Sequence, residues 1–384
     1  MPLNITILRK KRTWNFPDKP RCNMAPLDIN PPVLNSANPW CTTLEQLQEL
    51  YDSPHTGAIT TRTSLLRGFP HDPSHHQFAF FNPVDLSASS PNTDGSTVTI
   101  EDTKTASLNT LGYSPLPLED YLRFVQQISN SLQSHHPGSN NLTNKNPTAK
   151  PIIISVTGSA QEITRCYRLI STLQTQVLMP LAMEINLSCP NIPGKPPPAY
   201  DAEALGTYLS ALNEELAGSE PIPIGIKTPP YTYQDQFLAL ITALKSSLVP
   251  QKEANGEEST VQRCPVSFIT ATNTLGSSLL LEPSTTTTTS SSFKHTLLSP
   301  SGLGIGGLAG APLHPLALGN VYTIKKLLLQ HEAFIGIQII GTGGVEDSEG
   351  YARMMAVGAS AVGVGTAFGR KGMAVFEEIA RKGW

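Results

Sequence analysis

The feature that most constrains this chain is an eightfold alternation of short, apolar, β-branched runs with segments of helical period. The predicted strands are 32–35, 57–61, 151–156, 183–187, 223–227, 266–271, 337–341 and 361–365. Runs that are apolar throughout and separated by helices predict a parallel sheet that is covered on both faces. Eight such units predict a single (β/α)8 TIM barrel. A doubly wound open sheet is the rival, but no GxGxxG motif follows the first strand.

Helices are predicted between the strands because apolar side chains recur three and four residues apart. The predicted helices are 42–51, 118–132, 160–173, 201–216, 314–329, 347–357 and 374–381. The first begins with the spacing of a capping box, and the fourth begins with Asp201 at its N-cap. One barrel over 24–384 is therefore predicted.

Composition narrows the class of protein. There are 27 Lys and Arg against 30 Asp and Glu, so the net charge is −3, and only 15% of the residues are charged. A protein that binds nucleic acid by neutralising phosphates should be basic, and this chain is not. The 33 prolines and many uncharged polar residues instead predict neutral loops around an ordinary core. These loop insertions are expected near 67–107, 134–150, 250–263 and 284–296.

The cysteines and the N-terminus bear on location. Five scattered cysteines without a CxxC pair predict neither a disulfide framework nor a structural zinc site. No run of about 18 apolar residues predicts a membrane span. Residues 1–23 are basic, which is compatible with a disordered extension, a mis-assigned start codon or a transit peptide. Prolines interrupt the amphipathic pattern that a transit peptide would need. We therefore expect a cytoplasmic protein.

A cysteine between two asparagines follows one predicted strand. In Glu184–Asn191 the strand leads into a loop rich in proline and glycine, which holds Cys189 between Asn186 and Asn191. Asparagine both donates and accepts hydrogen bonds, so such a pair can hold a planar ligand rich in amide groups without adding charge. Cys189 is then a candidate nucleophile or general base, since a thiol needs only modest tuning to accept a proton near neutral pH. A buried structural cysteine is the alternative.

Glycines and one lysine mark the ends of three later strands. Gly341–Gly344 and Gly365–Thr366 follow the last two strands, where a barrel commonly binds phosphate, and Gly304–Gly310 supports the same interpretation. Capping glycines are the alternative. Lys227 ends the strand at 223–227, where a buried cation needs an anion or an electron-rich acceptor. The N1/C2=O edge of a flavin, which gains negative charge on reduction, would satisfy it.

A short run, His71–His76, contains three histidines and an aspartate within a predicted loop. Such a run can bind a metal ion, but a solvated surface loop is the interpretation that we favour.

Several of these motifs together resemble the class 1 dihydroorotate dehydrogenases, and most closely their cytosolic class 1A branch. The resemblance rests on Asn186–Asn191 with Pro193–Pro196, Lys227–Pro230, Asn273–Gly276, Ile340–Gly344 and Val364–Thr366. It implies an FMN-containing barrel that oxidises (S)-dihydroorotate to orotate in pyrimidine synthesis. Cys189 would take the proton from C5 while hydride passes from C6 to flavin N5. The resemblance further implies a homodimer that passes its electrons to fumarate.

The resemblance also assigns site residues. Those expected to contact the substrate are Arg62, Asn109, Leu111, Gly112, Asn186, Asn191, Asn273 and Thr274. Those expected to contact FMN are Ala37, Arg62, Thr63, Asn186, Lys227, Thr272, Gly310, Gly343, Gly344, Gly365 and Thr366.

Three departures from the family pattern bear on the substrate. Arg62 stands where the family has a lysine. The positive charge is kept, but it lies on the bulkier, forked guanidinium group of arginine. Ser36–Asn38 replaces Ala-Ser-Gly, and Leu111–Pro115 replaces Met-Gly-Leu-Pro-Asn. Two alternatives therefore stay open: a flavin oxidoreductase for another dihydropyrimidine or an enone, and a catalytically silent FMN-binding paralogue, which Cys189 argues against.

Overall fold

The structure is a computed structural model that describes residues 26–95, 100–135, 149–189, 191, 197–216, 221–252, 258–284 and 292–383. Its strands are Val33–Asn35 (β1), Ile59–Thr60 (β2), Phe78–Phe81 (β3), Ala106–Asn109 (β4), Ile152–Val156 (β5), Leu181–Asn186 (β6), Ile224–Thr228 (β7), Val249–Lys252 (β8), Glu258–Arg263 (β9), Phe268–Ala271 (β10), Leu275–Ser278 (β11), Leu281–Pro283 (β12), Phe293–His295 (β13), Gly306–Gly310 (β14), Gln338–Thr342 (β15) and Ala361–Val364 (β16).

The α-helices lie mainly between the barrel strands. They are Leu44–Asp52 (α1), Leu118–His135 (α2), Ala160–Gln174 (α3), Ala202–Glu215 (α4), Gln234–Ser246 (α5), His314–Leu328 (α6), Ser348–Ala356 (α7), Thr366–Lys371 (α8) and Ala374–Gly383 (α9). Thr43 caps α1 and Ser159 caps α3, each within a capping box. Asp201 accepts from the N–H of Ala204 and caps α4, as its position in the sequence predicted.

Eight parallel strands form the barrel, in the order β1-β16-β15-β10-β7-β6-β5-β2. The side chain of Asn35 joins the two end strands: its Nδ2 donates to the carbonyl of Thr60 at 2.6 Å, and its Oδ1 accepts from the Thr60 N–H at 2.9 Å. Apart from the half-buried Gln338, the strands are buried throughout, because helices cover their outer face. All eight predicted strands and the predicted TIM barrel are confirmed.

A second, four-stranded antiparallel sheet, β11-β14-β4-β3, accompanies the barrel. Part of this sheet comes from residues 67–107, which we predicted to be a neutral loop insertion. Within that range, Phe78–Phe81 is a fully buried strand. The prediction of a surface loop at 250–263 was also wrong, because β8 and β9 pair there as an antiparallel ribbon. Within 284–296, β13 pairs with β12. The basic segment 1–23, most of 134–150 and Pro193–Pro196 lie outside the described residues.

Candidate active site

One open cavity of about 1060 Å³ lies at the carboxyl ends of the barrel strands. Every residue that the sequence singled out for catalysis, substrate or cofactor lines it: Ala37, Arg62, Thr63, Asn109, Leu111, Gly112, Asn186, Cys189, Asn191, Lys227, Thr272, Asn273, Thr274, Gly310, Gly343, Gly344, Gly365 and Thr366. The barrel brings these distant residues together, whereas the role of each stays a prediction.

Asn186, at the end of β6, is the centre of a hydrogen-bond network. Its Oδ1 accepts from the hydroxyl of Ser188 at 3.0 Å and from Nδ2 of Asn273 at 3.1 Å. Its Nδ2 donates to Oγ1 of Thr63 at 3.1 Å, which leaves one N–H of this amide without an acceptor in the described part of the chain. Asn273 uses both of its N–H groups, because the second donates to Ser188. Among the described residues, its Oδ1 accepts only from the N–H of Thr274. Asn186 therefore offers a donor and Asn273 an acceptor.

Asn191 and Asn109 form a second pair across the cavity. Nδ2 of Asn191 lies 2.9 Å from Oδ1 of Asn109 and 2.9 Å from the carbonyl of Leu111, so both of its N–H groups are used. Nδ2 of Asn109 donates to the carbonyl of Gly307 at 3.1 Å. Among the described residues, one N–H of Asn109 and the Oδ1 of Asn191 have no partner. Together the four amides present two donors and two acceptors, which matches a planar ring that carries both N–H and C=O groups.

Cys189 is half-buried at the wall of this cavity. Burial raises the pKa of its thiol above the ordinary value. Three neighbours oppose this by lowering the pKa: the backbone N–H of Asn191, the charge of Lys227 and a hydrogen bond from the side chain of Tyr113. The thiol is protonated at neutral pH, but its conjugate base has donors and a cation ready to stabilise it.

Two buried cations face the cavity. Lys227 is only 4% exposed, and no acceptor for its ammonium group occurs among the described residues. Arg62 is 6% exposed, and the single hydrogen bond found for its guanidinium is a long one, 3.5 Å, to the carbonyl of Tyr113. Burial lowers the pKa of this guanidinium. An unpaired buried cation is costly, so both residues indicate a ligand with negative or electron-rich groups.

Glycines form a cradle at the opposite end of the cavity. Gly343 and Gly344 have φ values of +138° and +66°, and a Cβ on Gly344 would come within 2.6 Å of the carbonyl oxygen of Gly310. Across the described ranges, no group accepts a hydrogen bond from the backbone N–H of Gly343, Gly344 or Gly365. The buried hydroxyl oxygen of Thr342 also lacks a partner. Unpaired N–H groups beside close-packed glycines fit a phosphate.

The sequence assigned no individual role to ten further residues of the cavity wall, although it named several of them as parts of motifs. They are Ser36, Asn38, Pro39, Trp40, Phe78, Ser107, Tyr113, Ala309, Leu313 and Thr342. Many come from the 3-10 helix Pro39–Cys41 or from the antiparallel sheet. Trp40 and Phe80 stack at 5.7 Å, so aromatic residues in these segments were the signal available in the sequence.

The histidine run is largely exposed or half-buried, as expected for a surface loop, with the exception of His76. His76 is buried, and its ring lies 5.1 Å from that of Phe69. Phe69 in turn packs edge-on against Tyr113 at 5.8 Å. Burial lowers the pKa of His76. Within the described ranges, no group of residues suited to a metal ion occurs. Through Phe69, His76 supports the loop that carries Tyr113.

The (β/α)8 barrel, with one polar cavity at the carboxyl ends of its strands, is the architecture of a barrel enzyme. A family model described as dihydroorotate dehydrogenase matches residues 96–382. The chain belongs to this family, whose members use a flavin cofactor.

None of the helices in the described ranges is long and apolar enough to cross a membrane.

Curated relatives agree with this assignment, and a solved structure shares the fold. The chain is 27% identical to the putative dihydroorotate dehydrogenase A (fumarate) of Streptococcus pyogenes serotype M1, covering 91% of this chain and 87% of the relative. It is also 27% identical to dihydroorotate dehydrogenase A (fumarate) of Lactococcus lactis subsp. cremoris, covering 91% and 88%. The ligand-free enzyme of Eimeria tenella has the same fold, with a TM-score of 0.59 at 16% identity, covering 95% of this chain and 87% of that one.

Proposed function

We propose that this chain is an FMN-dependent enzyme that oxidises (S)-dihydroorotate to orotate, with Cys189 as the base. One observation carries the proposal: a single cavity is lined by a thiol, four amides and two buried cations, and within the described residues the amides keep two free donors and two free acceptors while neither cation has an anionic partner. Dihydroorotate is a cyclic ureide with one carboxylate. Its N–H and C=O groups match the amides, and its carboxylate matches a cation.

The cavity fits FMN at its glycine end. The unpaired N–H groups of Gly343, Gly344 and Gly365 would hold the phosphate, and Lys227 would face the flavin edge that gains negative charge. When bound, the flavin supplies the two-electron acceptor that takes the hydride from the substrate.

The residues of this chain orient the substrate and move one proton. The free groups of Asn186 and Asn273, and those of Asn109 and Asn191, would bind the ureide ring. Arg62 would pair with the carboxylate. The thiolate of Cys189 would take the proton from C5. The backbone N–H of Asn191 and the charge of Lys227 would stabilise this thiolate before it takes up the proton.

Arg62 favours one second candidate, oxidation of a different dihydropyrimidine or of an enone. A guanidinium reaches further than an ammonium and pairs with two oxygens in one plane, so it would seat the ligand differently from the family lysine. Arg62→Lys should distinguish these candidates. If Arg62 binds the dihydroorotate carboxylate, we expect KM for dihydroorotate to rise about tenfold with kcat little changed. A gain of dihydroorotate turnover would instead show that Arg62 had redirected the site.

The relatives' names support fumarate as the electron acceptor, and the family resemblance supports a homodimer and a cytoplasmic location. These three assignments are part of the proposal.

The proposal is tested on the purified protein. Mass spectrometry of the released chromophore should give FMN, and dihydroorotate with fumarate should yield orotate and succinate in equal amounts. A colourless protein that takes up no FMN would contradict the cofactor. Turnover of dihydrouracil but not of dihydroorotate would support the second candidate.

A further inference from the structure

His314, the first residue of α6, bridges the glycine cradle and the outer helices. Its Nδ1 lies 2.8 Å from the carbonyl oxygen of Gly343, and its Nε2 accepts from Nε of Arg353 at 3.2 Å. The imidazole is buried, and its Cβ would lie 2.7 Å from a Cβ built on Gly344. The side chain therefore contacts both glycines of the cradle, although the catalytic machinery described above does not use it.

These two contacts fix the tautomer of His314. The Nε of arginine can only donate, so Nε2 of His314 must be the acceptor and carries no proton. The ring proton of the neutral imidazole is then on Nδ1, where it donates to the carbonyl of Gly343. Burial lowers the pKa of this histidine, which agrees with a neutral ring.

The hydrogen bond to Gly343 also orients the next N–H. The carbonyl of Gly343 and the N–H of Gly344 belong to one planar trans peptide, so they point in opposite directions. Holding the carbonyl against His314 on one side therefore directs the N–H of Gly344 to the other side. That N–H has no acceptor within the described residues, and Gly344 lines the cavity. Glycine has no side chain to restrict this peptide, so an external contact must fix it.

We propose that His314 is a positioning residue, which fixes the Gly343–Gly344 peptide so that its N–H binds the phosphate of the cofactor. This inference rests on the proposed binding of FMN. It concerns only the phosphate, since His314 lies at the cradle and not beside Cys189. Its effect should therefore appear for FMN and be absent for riboflavin, which has the same ring system without a phosphate.

Two substitutions at His314 test the proposal on the flavin-free protein, with FMN and riboflavin as probes. His314→Leu removes the donor, whereas His314→Asn places an amide N–H near the position of Nδ1. Titration by quenching of flavin fluorescence should give about tenfold weaker binding of FMN to the leucine variant. The asparagine variant should bind FMN within about twofold of the wild type, and riboflavin should bind all three proteins equally.

The outcomes separate this inference from the proposed function. A wild-type protein that does not bind FMN contradicts both. If the wild type binds FMN and the His314→Leu variant binds it equally well, the role of His314 is overturned while the proposed function stands. The same holds if the variant loses affinity for FMN and for riboflavin to the same extent. A nitrogen-15 NMR spectrum of the wild type gives a test that needs no variant: the account requires His314 to be protonated on Nδ1, and protonation on Nε2 overturns it.

Discussion

At the scale of single residues, the pKa of Cys189 decides how well the site can remove a proton. Burial raises the pKa, while the Asn191 N–H, Lys227 and Tyr113 lower it. Tyr113 is also one of the departures from the family pattern. It lies on the loop that Phe69 supports, and its carbonyl accepts from Arg62. The changed loop therefore contacts both the base and the cation that we assign to the carboxylate.

The pH dependence of flavin reduction should report this thiol. A raised pKa means that the reactive thiolate is scarce at neutral pH and increases as the pH rises through the pKa. We expect the rate of reduction by dihydroorotate to increase with pH, with a midpoint above the ordinary thiol value. Rapid-mixing kinetics across pH would measure it, and a rate that falls as the pH rises would contradict Cys189 as the base.

Tyr113→Phe should move that midpoint further up. The variant keeps the ring that packs on Phe69 but removes the hydroxyl whose hydrogen bond lowers the pKa of Cys189. The pH profile of alkylation of Cys189 by iodoacetamide measures the midpoint without substrate. Tyr208→Phe is the matched control, because its hydroxyl donates to the Gly158 carbonyl instead. An unchanged midpoint in Tyr113→Phe would show that the hydroxyl does not act on the thiol.

At the scale of secondary-structure elements, the sequence predicts the barrel well and the antiparallel sheet poorly. Continuous apolar runs such as Ile152–Val156 occur because a parallel strand is buried on both faces, so composition alone reveals them. β4 and β14 pair only through contacts distant in sequence, and β14 consists largely of glycine. Helix α5 was also missed, although Phe237, Leu240 and Leu244 have helical spacing.

The site follows the same division. Residues in fixed motifs at the ends of barrel strands, such as Cys189 and Gly343, were found because strand ends converge in a barrel. The supporting contacts were not found, since the pairing of His314 with Gly343 brings the start of α6 against the loop after β15, and these segments meet only in the folded chain.

The junction between β1 and β2 depends on one side chain. Asn35 supplies both hydrogen bonds to the backbone of the buried Thr60. Asn35→Leu leaves a buried donor and a buried acceptor unpaired, and each costs about 1–3 kcal/mol. We expect the free energy of unfolding in urea to fall by about 2–6 kcal/mol. Gln48→Ala, which removes only an exposed hydrogen bond to Asp52, should change it little, and equal losses in the two variants would contradict this role.

At the scale of the whole molecule, cofactor binding should stabilise the fold. The cavity takes its wall from the barrel ends, the 3-10 helix Pro39–Cys41 and the antiparallel sheet, so a ligand there contacts both sheets. A ligand that binds only the folded state stabilises it by about 2.7 kcal/mol at 100 times its Kd. We expect FMN at that concentration to raise the midpoint of thermal unfolding by several degrees. No shift, with FMN shown to be bound, would mean that binding does not depend on the assembled cavity.

In anaerobic mixing of the FMN-loaded protein with dihydroorotate, one turnover reports substrate, cofactor and base together. We expect dihydroorotate to bleach the flavin absorbance of the wild type. We also expect Cys189→Ala, which keeps its FMN, to bleach at least about 100-fold more slowly, the typical contribution of a general base. Absence of bleaching in the wild type, or equal rates in the two proteins, would contradict the account.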